Sequence, residues 1–186
     1  MLWFFCAQPP IKNGQTIVCD GKEFYNELSN SLKTLFRHKC LKFSGTLDKD
    51  GWQARFNTEN IDTLKNICSN NNIQVKINDD LSINQVYICP AIYPSLCGTY
   101  QIFINSLLPA KDRYPNMVSF DDNSEISKDI MSELNEIADR ITVEINWQKG
   151  DILMIDNNRI MHGRRAVSDN ERDIYIRLCS PDFSLI

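Results

Sequence analysis

The last third of the chain sets the terms for any fold. Between Ile141 and Cys179, short strand-like runs follow one another with turns at close intervals. "ITVEINW" (Ile141–Trp147) alternates, Gln148-Lys149-Gly150 makes a tight turn, and "DILMID" follows. Asp156-Asn157-Asn158 supplies a polar turn, "RIMHG" resumes, a polar loop carries "SDNE", and "RDIYIRLC" (Arg172–Cys179) closes the series. Short strands with turns this closely spaced form the pattern of an all-β sandwich or barrel.

Earlier segments add strands and helices. "LWFFCA" (Leu2–Ala7) is an apolar run of strand length, ended by Pro9-Pro10 and "KNG". "TIVCD" (Thr16–Asp20) reads as the next strand, and the Asp20 carboxylate can cap a helix by accepting an orphan N–H. Phe24, Leu28, Leu32 and Leu35 then make one apolar face on a helix predicted to reach about His38. "CLKFSGTL" resumes strand character. Thr58 is a plausible cap for a helix striped by Ile61, Leu64 and Ile67, which the Asn run ends. "IQVKI", "NQVYICPAI" and "TYQIFINSLL" (Thr99–Leu108) read as strands, and an acidic turn leads into a helix striped by Ile130, Leu134 and Ile137. The expected fold class is mainly β with flanking helices, the helices packing outside the sheet. No internal repeat or linker divides residues 1–186, which read as a single domain.

Composition excludes several classes. The net charge of −4 leaves no basic surplus for counterion-driven binding of nucleic acid. No apolar run is long enough to span a bilayer, and "MLWFFCAQPP" has no basic n-region, so no membrane partner and a cytoplasmic setting are expected. The seven cysteines are odd in number, irregularly spaced and without a CxxC pair. They read as reduced thiols serving as small core hydrophobes rather than as disulfides or a zinc knuckle.

The chemistry-bearing candidates lie in the same C-terminal third. His162 follows the polar turn, where it is either a metal ligand at a strand end or an ordinary structural imidazole. A strand can fix the direction in which an imidazole presents Nε2 to Fe(II). Arg172 starts the next strand and Arg177 lies on it; a guanidinium from a neighbouring strand can grip a carboxylate bidentately. Arg164 and Arg165 read as a solvated pair near the rim.

"WQKGDILMIDNNRIMHGRRAV" followed by "RDIYIR" resembles the C-terminal signature of the TauD/TfdA-type iron(II)- and 2-oxoglutarate-dependent oxygenases, closest in style to the branch with clavaminate synthase and amino-acid hydroxylases. The resemblance implies a double-stranded β-helix, or jelly roll. It implies His162 as the distal iron ligand and Arg172 as the clamp on the far carboxylate of 2-oxoglutarate, with Arg177 a nearby second cation for co-substrate or substrate. "LWFFCAQPPIKNGQTIVCD" resembles the family's strand, proline turn and "GG-T" segment, making Thr16 a 2-oxoglutarate contact; here Asn13 replaces the first glycine. "FINSLLPA" is similar to the segment after the family's variable middle, and the stretch from about Phe43 to Ile92 matches only loosely. The implied cofactors are Fe(II) and the co-substrate 2-oxoglutarate, with a small-molecule substrate such as an amino acid or natural-product intermediate.

The family's facial triad also needs a His-x-Asp/Glu motif upstream of the strand that "LWFFCA" represents, and Met1 stands where that strand begins. The other histidine, His38, is followed by Lys39 and Cys40 and reads as an exposed helix end. The jelly roll is therefore expected to be N-terminally incomplete, through truncation, a frameshift or a late start, with an exposed sheet edge open to self-association. Three functions stay open: an active dioxygenase, a catalytically inactive remnant acting as a binding or assembly partner, and an iron-free sugar- or acid-binding jelly roll.

Overall fold

The computed structural model describes residues 1–167 and 171–179; Ser168, Asp169 and Asn170 of the expected polar loop lie outside the described residues. Along the chain run β1 (Leu2–Gln8), β2 (Thr16–Asp20), α1 (Gly21–Glu27), α2 (Asn30–His38), β3 (Leu41–Leu47), α3 (Lys49–Phe56), α4 (Ile61–Asn70), β4 (Ile73–Ile77) and β5 (Ile83–Cys89). There follow β6 (Ile92–Pro94), β7 (Gln101–Phe103), α5 (Leu107–Arg113), β8 (Val118–Phe120), α6 (Lys128–Ile141), β9 (Val143–Ile145), β10 (Ile152–Ile155), β11 (Ile160–Arg164) and β12 (Asp173–Leu178). Among the described residues no helix is long and apolar enough to cross a membrane. The elements fall into two compact units, Met1–Ser29 with Ile92–Asn105 and Glu133–Ile186, and Asn30–Ala91 with Ser106–Ser132.

The first unit holds the jelly-roll sheets. One has the order β10-β1-β12 and the other β11-β2-β9, all neighbours antiparallel. Strand alternation decides what each face carries. Leu2, Phe4 and Cys6 point inward from β1 and form a core with Trp147 and Ile155. Val18, Ile145 and Ile160 pack against that core from the other sheet. The intervening residues of the first sheet stand on its outer face. Trp3 lies opposite Met154 and Arg177, and Phe5 opposite Ile152 and Tyr175. Trp3, Phe5, Ile152, Met154 and Tyr175 are all exposed, giving a sheet with apolar residues on both faces.

α1 begins at Asp20, whose carboxylate accepts the Lys22 N–H at 2.9 Å, as its sequence position predicts. The single helix expected to His38 is instead two, because Leu28 turns extended (φ −57°, ψ 139°). Ser29 gives its backbone N–H to Glu133 Oε1 at 2.8 Å and its hydroxyl to Oε2 at 3.2 Å. A partner more than a hundred residues away thus takes the amide that would have continued the helix.

The second unit carries the sheet β4-β5-β3-β8. Trp52, Leu64, Cys68 and Ile83 form its core beneath α3 and α4, while Lys42, Ser44, Thr46 and Asn84 alternate onto the opposite face. The cap of α4 is Asn60, which accepts the Thr63 N–H at 2.9 Å, rather than Thr58, whose hydroxyl accepts the Asn60 N–H. α3 has no apolar stripe that announces it; its Asp48 cap and the single buried Trp52 hold it. The strand expected over Thr99–Leu108 shrinks to Gln101–Phe103, and Leu107 already starts α5. All seven cysteines are free, and Cys6, Cys19, Cys68 and Cys89 are buried as core residues. Cys97 is exposed, and hydrogen bonds with Ser95 and Thr99 bring its thiol down to about 7.

Candidate functional site

The site grows from the first residue of β2. Thr16 is 1% exposed, and its Oγ1 accepts the Trp147 indole N–H at 2.9 Å. It also accepts from Arg172 Nη2 at 3.2 Å, while Arg172 Nε donates to the Gly14 carbonyl at 2.8 Å. A threonine hydroxyl has two lone pairs and one hydrogen. With both lone pairs taken, the O–H is what Thr16 has left to give, beside the remaining N–H groups of Arg172. The result is a converging set of donors suited to a carboxylate.

Backbone handedness explains why this corner forms. Gly14 has φ +78°, and a Cβ there would meet Arg172 Cδ at 3.3 Å. Asn13, where the family signature has glycine, takes φ +59°. Asparagine is one of the few residues that visits this region readily, so the substitution keeps the turn. Arg172 is half-buried, and burial pushes its pKa below the usual arginine value, with the charge of Arg164 adding to the effect.

His162 lies on β11 opposite Val18, on the same inward face as Thr16. Its ring meets the Phe4 ring edge-on, with centroids 5.7 Å apart and planes at 74°. Phe4 also packs on Trp147 at 6.4 Å. His162, Phe4, Trp147, Thr16 and Arg172 therefore form one connected inner surface. His162 remains exposed on one side, and the partial loss of water where its ring packs pushes its pKa down, which favours the neutral form that can ligate a metal.

Arg177 does not join this group. It stands opposite Trp3 on the outer face of its sheet. The Arg164-Arg165 pair is split. Arg165 forms an ion pair with Glu144 at 2.7 Å, while Arg164 lies directly opposite Thr16. Asp156 shapes the turn before β11, accepting the Asn158 N–H at 2.9 Å. His38, exposed at the end of α2, belongs to the second unit.

Sequence reasoning gave no role to Arg159 or to the Trp147 indole. Arg159 grips the Asp20 carboxylate through Nε and Nη2, and its carbonyl accepts the Gly21 N–H at 2.9 Å. Burial alone would raise the Asp20 pKa, but the Arg159 hydrogen bonds and the Lys22 and Glu23 amides hold it below the ordinary value. This fastens the start of β11, three residues before His162, to the end of β2.

No group of three or more His, Cys, Asp or Glu side chains that could hold a metal ion occurs among the described residues. His162 alone does not make a metal centre. The residues present fit a carboxylate at Thr16 and Arg172, and do not fit a complete iron site.

Comparison with known proteins finds relatives along almost the whole chain. The chain is 21% identical to the dapdiamide synthesis protein DdaC of Enterobacter agglomerans and 23% identical to a clavaminate synthase-like protein of Arabidopsis thaliana. Each match covers 96% of this chain and 60% of the relative, so the chain spans less than two thirds of their length. Among solved structures, a putative alpha-ketoglutarate dependent 2,4-D dioxygenase from Burkholderia xenovorans shares the fold with a TM-score of 0.55 at 16% identity, over 94% of this chain and 60% of that one. AAD-2 in complex with Mn(II) and N-oxalylglycine does so with a TM-score of 0.56 at 14% identity and the same coverage. The profile of the family described as taurine catabolism dioxygenase TauD, TfdA matches residues 1–179, and the chain belongs to that family.

Proposed function

We propose that the chain carries the co-substrate grip of an Fe(II)- and 2-oxoglutarate-dependent dioxygenase that hydroxylates a small molecule. Thr16 and Arg172 take the far carboxylate of 2-oxoglutarate, and His162 is this chain's ligand toward the metal. The observation that carries the reading is the doubly accepting, buried Thr16 hydroxyl beside an arginine that no described carboxylate neutralises. The names of the relatives support an amino acid or natural-product intermediate as substrate, and the bound N-oxalylglycine of AAD-2 is a dicarboxylate shaped like 2-oxoglutarate. The seven free cysteines support a cytoplasmic setting.

Calorimetric titration of 2-oxoglutarate under anaerobic conditions tests this. Arg172→Ala should weaken binding about 10–100-fold, the scale of a lost charge-assisted pair. Binding that is absent in the wild type, or unchanged in the variant, would end the proposal. A second reading, a protein that holds the acid without oxidising it, is favoured by the lack of a metal-binding cluster among the described residues. Succinate production with Fe(II) and oxygen separates the two.

Self-association is part of the proposal, supported by the exposed apolar residues on the outer face of the β10-β1-β12 sheet. Sedimentation should show mass rising with concentration, and Phe5→Lys with Ile152→Lys should abolish the rise. A monomer at all concentrations would refute it.

A further inference from the structure

We propose that Arg164 is the second cation of the carboxylate site and sets its preference for keto diacids over keto monoacids. The inference rests on the reading of Thr16 and Arg172 given above. It starts from register. In the β11–β2 pair, Arg164 faces Thr16, Gly163 faces Ile17 and His162 faces Val18. Directly opposed residues in an antiparallel pair project to the same side, and their Cβ atoms lie about 4.5–5.5 Å apart. Thr16 projects inward to Trp147 and Arg172, so Arg164 leaves the strand on that side too.

The neighbours confirm the alternation. A Cβ added at Gly163 would meet the Ile17 side chain at 3.3 Å. Arg165 joins Glu144, the residue paired with Ile17, on the other face. The two consecutive arginines therefore serve opposite sides of one sheet. No ion pair involving Arg164 occurs among the described residues. Of the acids that act on Cys6, Asp151 is occupied in its own turn, accepting the Gln148 N–H at 2.8 Å, and Asp173 stands opposite Gln8 at the start of β12.

Two like charges facing one buried hydroxyl repel each other; burial is the main cause of the lowered Arg172 pKa, and the charge of Arg164 adds to it. An anion placed between them removes the repulsion. A ligand whose far end carries no charge gains nothing from Arg164, whereas a carboxylate there gains from both cations. Arg164 is exposed, so its contribution is a screened, mainly Coulombic one, smaller than that of Arg172.

The test measures equilibrium binding of 2-oxoglutarate and of 2-oxopentanoate, which has the same carbon chain without the second carboxylate. Arg164→Gln should weaken 2-oxoglutarate about tenfold and leave 2-oxopentanoate within about twofold, while Arg164→Lys stays near wild type for both. The tenfold loss should shrink as salt is raised. Arg164→Gln weakening both acids alike, or neither, would overturn the role, as would a lysine variant as weak as the glutamine one. If the wild type binds 2-oxoglutarate, Arg172→Ala abolishes it and Arg164→Gln is silent, this inference alone fails. If the wild type binds neither acid, the carboxylate site itself is refuted and this inference with it. Unchanged circular dichroism and urea midpoints for both variants show that the readout is binding, not folding.

Discussion

Phe4→Ala is expected to cost about 4 kcal/mol of stability, within the range for emptying a well-packed phenylalanine site. Phe4 is 2% exposed and its ring sits between Trp147 and His162. Alanine would remove both aromatic contacts and leave a cavity between the two jelly-roll sheets of the first unit. Neither neighbour can simply move in: Trp147 is tied to Thr16 through its indole, and His162 is held by the β11–β2 register. Urea denaturation followed by far-UV circular dichroism reads the cost, and Phe4→Leu should recover most of it. A loss below about 1 kcal/mol would show that the cavity refills and that the ring is not the spacer described. In whatever fraction stays folded, 2-oxoglutarate binding should weaken as well, because the Trp147 donor to Thr16 loses its support.

Gly21→Ala should destabilise by about 3 kcal/mol, the upper part of the range for overpacking. At the first residue of a helix this exchange ordinarily helps slightly, since alanine restricts the unfolded chain. Here the added methyl would lie 2.6 Å from Ile102 Cγ2, 2.7 Å from the Phe103 carbonyl and 2.8 Å from the Arg159 carbonyl. Two of the three obstacles are backbone, and one belongs to the carbonyl that accepts the Gly21 N–H. Relief requires parting α1 from β7 or from the turn before β11. Either movement pulls at the Asp20–Arg159 pair and so at the strand that carries His162. A thermal melt at or above the wild-type midpoint would contradict the close approach.

The strands of the first unit were readable as short apolar runs bounded by turn residues, although β1 is apolar at every position from Leu2 to Ala7 and only the folded sheet shows which residues face inward. Leu2, Phe4 and Cys6 turn inward and Trp3 and Phe5 outward, as a pleat demands. The segments of Thr16, His162 and Arg172 stood out through their resemblance to a family signature, and the folded chain brings the three to one inner surface. Arg177 was a different matter. It lies five residues beyond Arg172, an odd interval, and in a strand an odd interval changes face. The same parity places Arg164, two residues from His162, on the inner side, although adjacent arginines invite treatment as a unit. What local pattern could not supply is the distant partner. Glu133 breaks the expected helix at Ser29, Asp20 meets Arg159, and Trp147 meets Thr16, each across more than a hundred residues. These are pairings that only the folded chain can announce.

The turn before β2 bears on how such chains are recognised at all. At its first position the backbone of this chain takes a positive φ, and a letter-by-letter search that insists on glycine discards Asn13 as a mismatch. A search that instead scored tolerance of left-handed geometry would count it as a hit, and would gather into the group other divergent members whose loops have changed in spelling while keeping their shape.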